Sequence, residues 1–390
     1  MMGISLGLVG LGAFGREFAD LFMAHPLVDR IALCDREPER MKVFAEKPSW
    51  QAKFDSRDMY PSLDAICASN LDALVIITQH WLHAPQAIQA LEAGKHVYSA
   101  VPVISIPDAD EILEWCDKLV ATVRRTGLHY MYGETTYYRP QAMYCRRRAR
   151  AGDFGSFVYA EGEYFHDVDS RSNLREVRRH RLASAGGAEW LAVEELYRQR
   201  GVLNGPMHYP THSTSGPISV MDAHPVKVCA WGYANRTDDE YFADSAFSNE
   251  TALFQMSNGA TMRICELREI GHPGREIFRV YGTKGSFEND TWTDNRTVTA
   301  LTVDEMREPL PEDVAAAFRE VMGKENFYGG HGGSHAYLVH EFVDAIAHDR
   351  TPAINVWEAA RYMAAGAMAH KSALQDGAVL DVPDWGEAEM

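Results

Sequence analysis

The stretch ISLGLVGLGAFG at residues 4–15 decides the fold. Ile4 to Gly10 is a mostly apolar run, and Gly10-Leu11-Gly12-Ala13-Phe14-Gly15 ends it. This reads as a strand feeding a glycine turn that opens a helix over Arg16 to Ala24. Gly10 permits the tight turn, Gly12 lets backbone approach a pyrophosphate, and Gly15 lets helix and strand pack closely. The helix aims free N–H groups and its positive dipole end at the phosphates. Ile31-Ala32-Leu33-Cys34 reads as a second strand, and Asp35 ends it 20 residues after Gly15. An acid there meets the ribose hydroxyls of NAD. Arg36 beside it can meet a 2′-phosphate, so NADP is the secondary expectation.

Working outward, residues 1–128 alternate strand and helix, which implies a parallel sheet with helices on both faces. A charged helix begins near Pro38. Ala73 to Ile77 is the next strand, followed by Thr78 and Gln79-His80-Trp81-Leu82-His83, then a helix from Pro85 to Ala93. His96 to Ser99 is a strand that Ala100-Val101-Pro102 ends, a helix runs near Asp108 to Val120, and Gly127 to Met131 closes this part. Ligands of such sheets bind outside the carboxyl ends of the strands, here Gly10, Asp35, Thr78 and Ala100. Thr78, His80, His83, Ala100 and Pro102 are therefore expected beside the cofactor, with Ala13 and Phe14 of the glycine turn.

Residues 129–390 change character and are expected to bind substrate and mediate oligomerisation. Phe157 to Phe165 alternates as a strand, and residues 171–203 are polar and basic. Val226 to Tyr233, Asn249 to Met256, Thr261 to Glu266, Ile277 to Tyr281 and Gly285 to Glu288 read as antiparallel strands. Two helices close the chain, near Ser334 to His348 and Val356 to Gln375. The fold class is thus α/β, a doubly wound parallel sheet followed by an open, mainly antiparallel one. Such a sheet can leave one face uncovered, a surface for a homodimer or homotetramer.

The formal charge of −17 argues against nucleic acid and anionic membranes as partners. Cysteines 34, 67, 116, 145, 229 and 265 are scattered with no CxxC pair, which reads as reduced thiols in a cytoplasmic protein. No apolar stretch reaches membrane-span length, and Met1 leads almost directly into the first strand with no signal-peptide pattern.

Four polar clusters follow the nucleotide-binding half: Gly133-Glu134-Thr135, Tyr164-Phe165-His166-Asp167, His208-Tyr209-Pro210-Thr211-His212 and Gly329-Gly330-His331-Gly332-Gly333-Ser334-His335. His208 and His212 stand four apart, a spacing that can chelate a metal from a helix. Pro210 between them and the lack of a patterned carboxylate argue against it, so no metal is expected. Acid–base work or hydroxyl binding fits better. Arg146-Arg147-Arg148 and Arg175 to Arg181 read as solvated faces, with the alternative that one arginine meets a sulfonate, phosphate or carboxylate of an anionic substrate.

These motifs resemble the Gfo/Idh/MocA oxidoreductases across nearly the whole chain: GLVGLGAFG at 7–15, Thr78 with His83, EAGKHV at 92–97 and GGSHAYLVHEFVDAI at 332–346. The resemblance implies a nucleotide-binding domain, an α/β domain with an open sheet, and hydride transfer between a sugar or polyol carbon and a nicotinamide. The family's Glu-Lys-Pro is here Ala100-Val101-Pro102, and valine can neither touch nor move a hydroxyl proton as that lysine does. His208 stands in the aspartate position of the family's Asp-x-x-x-His element, with His212 retained. The clusters are similar to the NAD-dependent α-N-acetylgalactosaminidase branch, through Tyr164 to Asp167, Tyr209 to His212 and His331 to Gly333. That branch implies redox-assisted glycoside cleavage with retained NAD: oxidation at carbon 3, loss of the carbon 2 proton, elimination, water addition and re-reduction. On this resemblance Tyr164 is the carbon 2 base with His166 supporting it, and Tyr209 and His212 hold or deprotonate the carbon 3 hydroxyl. Glu134 and His208 bind substrate, and His331 is the acid/base near the anomeric carbon. A tyrosine base needs a lowered pKa, which a nicotinamide cation and neighbouring histidines would supply. The alternatives are a simple sugar 3-dehydrogenase with dissociable NAD(P), and a nucleotide-binding regulator, which would not need the four clusters.

Overall fold

The computed structural model describes residues 3–169 and 174–388; Met1 and residues 171–173, at the head of the polar stretch, lie outside them. The first sheet contains β1 (Ile4–Val9), β2 (Val28–Cys34), β3 (Met59–Tyr60), β4 (Ala73–Ile76), β5 (His96–Ser99) and β6 (Tyr130–Tyr132). Its order is β3-β2-β1-β4-β5-β6, and every pair is parallel. The chain steps outward from β1 to β3 and then crosses back to β4, so the ends of β1 and β4 flank the point where strand order reverses. Both faces are covered, which is why β1 and β4 are almost continuously apolar and buried.

Gly10 has φ +92° and no room for a side chain, because a Cβ there would collide with the Ile77 carbonyl. A Cβ on Gly15 would strike the Gly10 carbonyl. The helix opens at Ala13 rather than Arg16 and runs to Ala24. Gly12 caps it without a side-chain hydrogen bond, leaving its first N–H groups available. The helix expected near residues 108–120 runs from Ala109 to Thr126 and stops on Gly127, whose φ of +66° is a left-handed C-cap. The next strand therefore starts late, at Tyr130, and the first sheet extends past residue 128.

The second sheet contains β7 (Phe157–Phe165), β8 (Pro225–Tyr233), β9 (Asn249–Met256), β10 (Thr261–Leu267), β11 (Arg275–Gly282), β12 (Gly285–Glu288), β13 (Thr291–Asp294), β14 (Thr297–Ala300) and β15 (Leu380–Asp381). Its order is β14-β13-β12-β11-β7-β10-β9-β8-β15. Neighbours are antiparallel except β7 and β10, which run parallel. That exception sets Glu266 of β10 directly beside Tyr164 of β7, while Glu276 of β11 flanks Tyr164 on its other side. The helices Thr211–Met221 and Val356–Leu374 pack on one face of this sheet. On β7, Gly162 is required there, since a Cβ would collide with the Ser213 carbonyl. The opposite face exposes Trp231 and Leu253.

Candidate active site

The reversal point of the first sheet opens into a crevice of about 610 Å³. Gly12, Ala13, Phe14 and Gly15 form one wall, Thr78, His80, His83, Ala100 and Val101 a second, and Tyr164, Tyr209, His212 and His331 a third. The space a Gly12 Cβ would occupy is clear of protein, so a ligand can touch this backbone. Asp35 is buried, and its carboxylate accepts the Leu11 N–H at 2.7 Å and the Glu37 N–H at 2.8 Å. These features fit a dinucleotide with its pyrophosphate at the helix start and a ribose at Asp35. Arg36 turns away into an ion pair with Glu189 at 2.7 Å, and the cation near Asp35 is Arg40, at 3.7 Å, which the sequence reading missed. His83 is held by the carbonyls of Pro102, at 2.8 Å, and Thr78, at 3.4 Å. Burial lowers it to about 4, so it is a neutral brace for the loop after β5. Pro102 contributes that carbonyl.

His212 sits in the first turn of the helix Thr211–Met221 with only 8 % of its surface exposed. Its Nδ1 meets Glu134 at 3.0 Å and lies 3.9 Å from Glu276. Burial opposes charge on the ring, but the two carboxylates outweigh it and bring His212 up to about 9. It is a cation at neutral pH. Burial likewise pushes the Glu134 carboxyl up, and the His212 cation with the Thr136 N–H at 2.8 Å more than offsets this and holds it low. Glu134, expected to bind sugar hydroxyls, is instead fully buried behind His212 and fixes that ring. Glu276, not singled out from the sequence, is held by Thr136 and Arg139.

Tyr164 donates to or accepts from His166 Nδ1 at 2.7 Å, and its ring lies 5.0 Å from that of His212. The expectation of a lowered tyrosine pKa is not met in the protein alone. Burial drives the phenol well above its ordinary value, and the Arg268 guanidinium 4.8 Å over the ring only partly offsets this. Glu266 is fully buried, bonded to Arg268 at 2.6 Å and to Ser213, and burial raises it to about 7.

His331 has φ +50° between glycines. Its Nδ1 lies 2.8 Å from His335 Nε2, and the other nitrogen of His335 accepts the Gly330 N–H at 3.2 Å and lies 3.6 Å from Glu17. Burial and the His212 cation lower His331; burial and His331 lower His335 to about 3. Both are neutral at pH 7. Two groups among the described residues place three ligand-type atoms within 4.8 Å, Glu17–His331–His335 and Glu134–His212–Glu276; in each, one pair shares a hydrogen bond, His331 with His335 and His212 with Glu134.

His208 does not converge with His212. Its Nδ1 is 2.8 Å from Asn204 Oδ1, its ring packs 4.3 Å from that of His370, and burial keeps it neutral. It lines a second cavity of about 320 Å³, which shares His80, Tyr164, Arg181 and Tyr209 with the crevice. The helices Leu174–Leu182 and Gly187–Gln199 wall this chamber, so part of the basic stretch at 175–181 faces the site. No helix among the described residues is long and apolar enough to cross a membrane.

Comparison with known proteins agrees with this geometry. Residues 4–133 match the model "Oxidoreductase family, NAD-binding Rossmann fold", and residues 233–390 match "Glycosyl hydrolase 109, C-terminal domain". An alpha-N-acetylgalactosaminidase of Bacteroides fragilis is 34 % identical over 72 % of this chain and 67 % of its own. A glycosyl hydrolase family 109 protein of Streptomyces filamentosus is 26 % identical over 99 % of this chain and 78 % of its own. Among solved structures, scyllo-inositol dehydrogenase of Lactobacillus casei with bound NAD(H) and scyllo-inositol superposes with a TM-score of 0.64 at 16 % identity, covering 97 % of this chain and 99 % of that one. That likeness establishes the shared fold.

Proposed function

The chain belongs to glycosyl hydrolase family 109, on an oxidoreductase-type nucleotide-binding scaffold, and from that premise we propose that it cleaves a glycoside through transient oxidation at carbon 3, using retained NAD. When bound, the nicotinamide supplies a hydride acceptor and later returns the hydride. The observation that carries the reading is the pairing of a cationic His212 with a Tyr164–His166 couple on one wall of the crevice, where Val101 offers no lysine. The Asp35 carboxylate at the ribose position supports NAD over NADP, because it repels a 2′-phosphate.

His212 holds the carbon 3 oxygen. In its neutral form, above its raised pKa, it takes the hydroxyl proton; as a cation it polarises the resulting ketone and acidifies the hydrogen on carbon 2. Tyr164 then accepts that proton while passing its own to His166, so a free phenolate is not needed despite the burial of the ring. Tyr209 borders the same space and hydrogen-bonds the sugar. His331, neutral and backed by His335, hydrogen-bonds the leaving oxygen; as water adds at carbon 1, His331 takes the water's proton and passes it to that oxygen. The uncovered sheet face around Trp231 and Leu253 pairs with a second copy of the chain.

The test is a panel of glycosides in D₂O with no nucleotide added. Aglycone release with deuterium at carbon 2 of the product is the expected result. A 3-keto product formed only with added NAD, without cleavage, would mark a plain dehydrogenase.

A further inference from the structure

The second cavity is cationic in an acidic protein. Four arginines line it, Arg178, Arg181, Arg198 and Arg268, against two carboxylates, Glu194 and Asp244. Three of the four are neutralised: Arg178 by Glu194 at 3.3 Å, Arg198 by Asp244 at 2.8 Å, and Arg268 by Glu266 at 2.6 Å. Arg181 is different. Among the described residues it has no carboxylate within 4.0 Å, and its guanidinium donates only to the Nε2 of His80. That ring is neutral, because burial and Arg181 itself hold it far below its ordinary pKa. A guanidinium carries five N–H donors in a fixed fork matched to an oxyanion, so most of this one's donors are unspent. An uncompensated cation in a partly buried wall is costly unless a ligand supplies the missing charge.

The position of Arg181 indicates which ligand. Arg181 lines both cavities; of the groups that act on it, Tyr241, Glu194 and Arg178 line the second cavity alone and Tyr209 lines both, while of the groups it acts on, His83 lines the crevice alone, and none of these belongs to the glycine turn. Tyr164 and Tyr209 border both cavities, so a sugar reacting beside them extends a substituent toward Arg181.

Building on the glycoside-cleaving reading above, we propose that the substrate carries an anionic group, a sulfonate, phosphate or carboxylate, and that Arg181 in the second cavity binds it. The test uses the protein as purified with matched aryl glycosides of the gluco and galacto series. Each pair differs only at carbon 6, neutral hydroxyl against carboxylate, phosphate ester or sulfonate. A charged member should exceed its neutral partner about 10- to 100-fold in kcat/KM, the range expected of charge-assisted hydrogen bonds. Arg181→Met should erase that preference chiefly through KM, and Arg181→Lys should keep part of it. NAD affinity, measured by calorimetry, should stay within about twofold in Arg181→Met, which also reports an intact fold. Equal or better turnover of the neutral glycosides overturns the proposal, as does a preference that survives in Arg181→Met. A tenfold loss of NAD affinity in that variant would assign Arg181 to a cofactor phosphate and also overturn it. If no glycoside is cleaved, the cleavage reading fails by itself. Calorimetry with the corresponding free sugars then decides: tighter binding of the charged sugar, lost in Arg181→Met, supports the anion site, and equal binding removes it.

Discussion

Two histidines on the third wall of the crevice, His212 and His331, have opposite electrostatics. His212 is pressed between Glu134 and Glu276 and holds a proton up to about 9. His331 is backed by another imidazole, His335, and stays neutral. Burial acts on both in the same direction, against charge. The neighbours therefore decide the outcome: carboxylates make His212 an electrophile, and an imidazole makes His331 a proton carrier. A reaction that polarises a ketone and also shuttles protons needs both.

The largest expected effect comes from erasing this contrast. Glu134→Gln keeps the shape but removes the main counter-charge. His212 should fall back toward an ordinary histidine, and turnover should drop about 100-fold. A pH–rate profile checks it: the inflection near pH 9 should move down, and an unmoved inflection would separate Glu134 from His212. A smaller effect is expected at His331. His335→Phe removes the partner that orients His331 and should lower kcat about tenfold, with the inflection near pH 9 unchanged. A shift of that inflection would show that His212 and the His331–His335 pair titrate together.

The smallest effect is in stability, and its sign differs between His212 and His335. His212 is raised above the unfolded value, so its contribution is full below about pH 6.5 and is lost as pH rises toward about 9. His335 is lowered to about 3, so its contribution is full above about pH 6.5 and is lost as pH falls. Each slope is at most about 1.4 kcal/mol per pH unit. Tm against pH for the parent and both variants should show Glu134→Gln flattening the alkaline arm and His335→Phe the acid arm.

The nucleotide-binding half was legible because its information is local. A glycine that must take φ +92°, an acid at a strand end and continuous apolar strands are each written in a few adjacent residues. The site's far wall was only partly legible. Tyr164, His166, Tyr209, His212 and His331 were marked by their polar clusters, and the fold brings all but His166 to the crevice wall, with His166 on Tyr164. Glu134 was found but its role was misread, since nothing local shows that it faces inward. Glu266, Glu276 and Arg268 could not be found at all: they look like ordinary polar residues of alternating strands. Only the pairing of β10 and β11 on β7, fixed over more than a hundred residues of separation, makes them part of the site. The helix Thr211–Met221 also escaped, being rich in Ser, Thr, Gly and Pro, residues that favour other conformations until tertiary packing overrides them.

The row Glu266–Tyr164–Glu276 across three adjacent strands has a consequence for how this protein can change over generations. Side chains alternate across a sheet, so a shift of one residue in β10 or β11 would turn a carboxylate to the far face while leaving the backbone ladder intact. The same shift would turn Met262 and Ile264, or Phe278 and Val280, out of the core, so it costs packing as well as the reaction. Length variation in this lineage should therefore collect in the turns beyond β12, where the strands carry no part of the row, and be purged between Thr261 and Gly282.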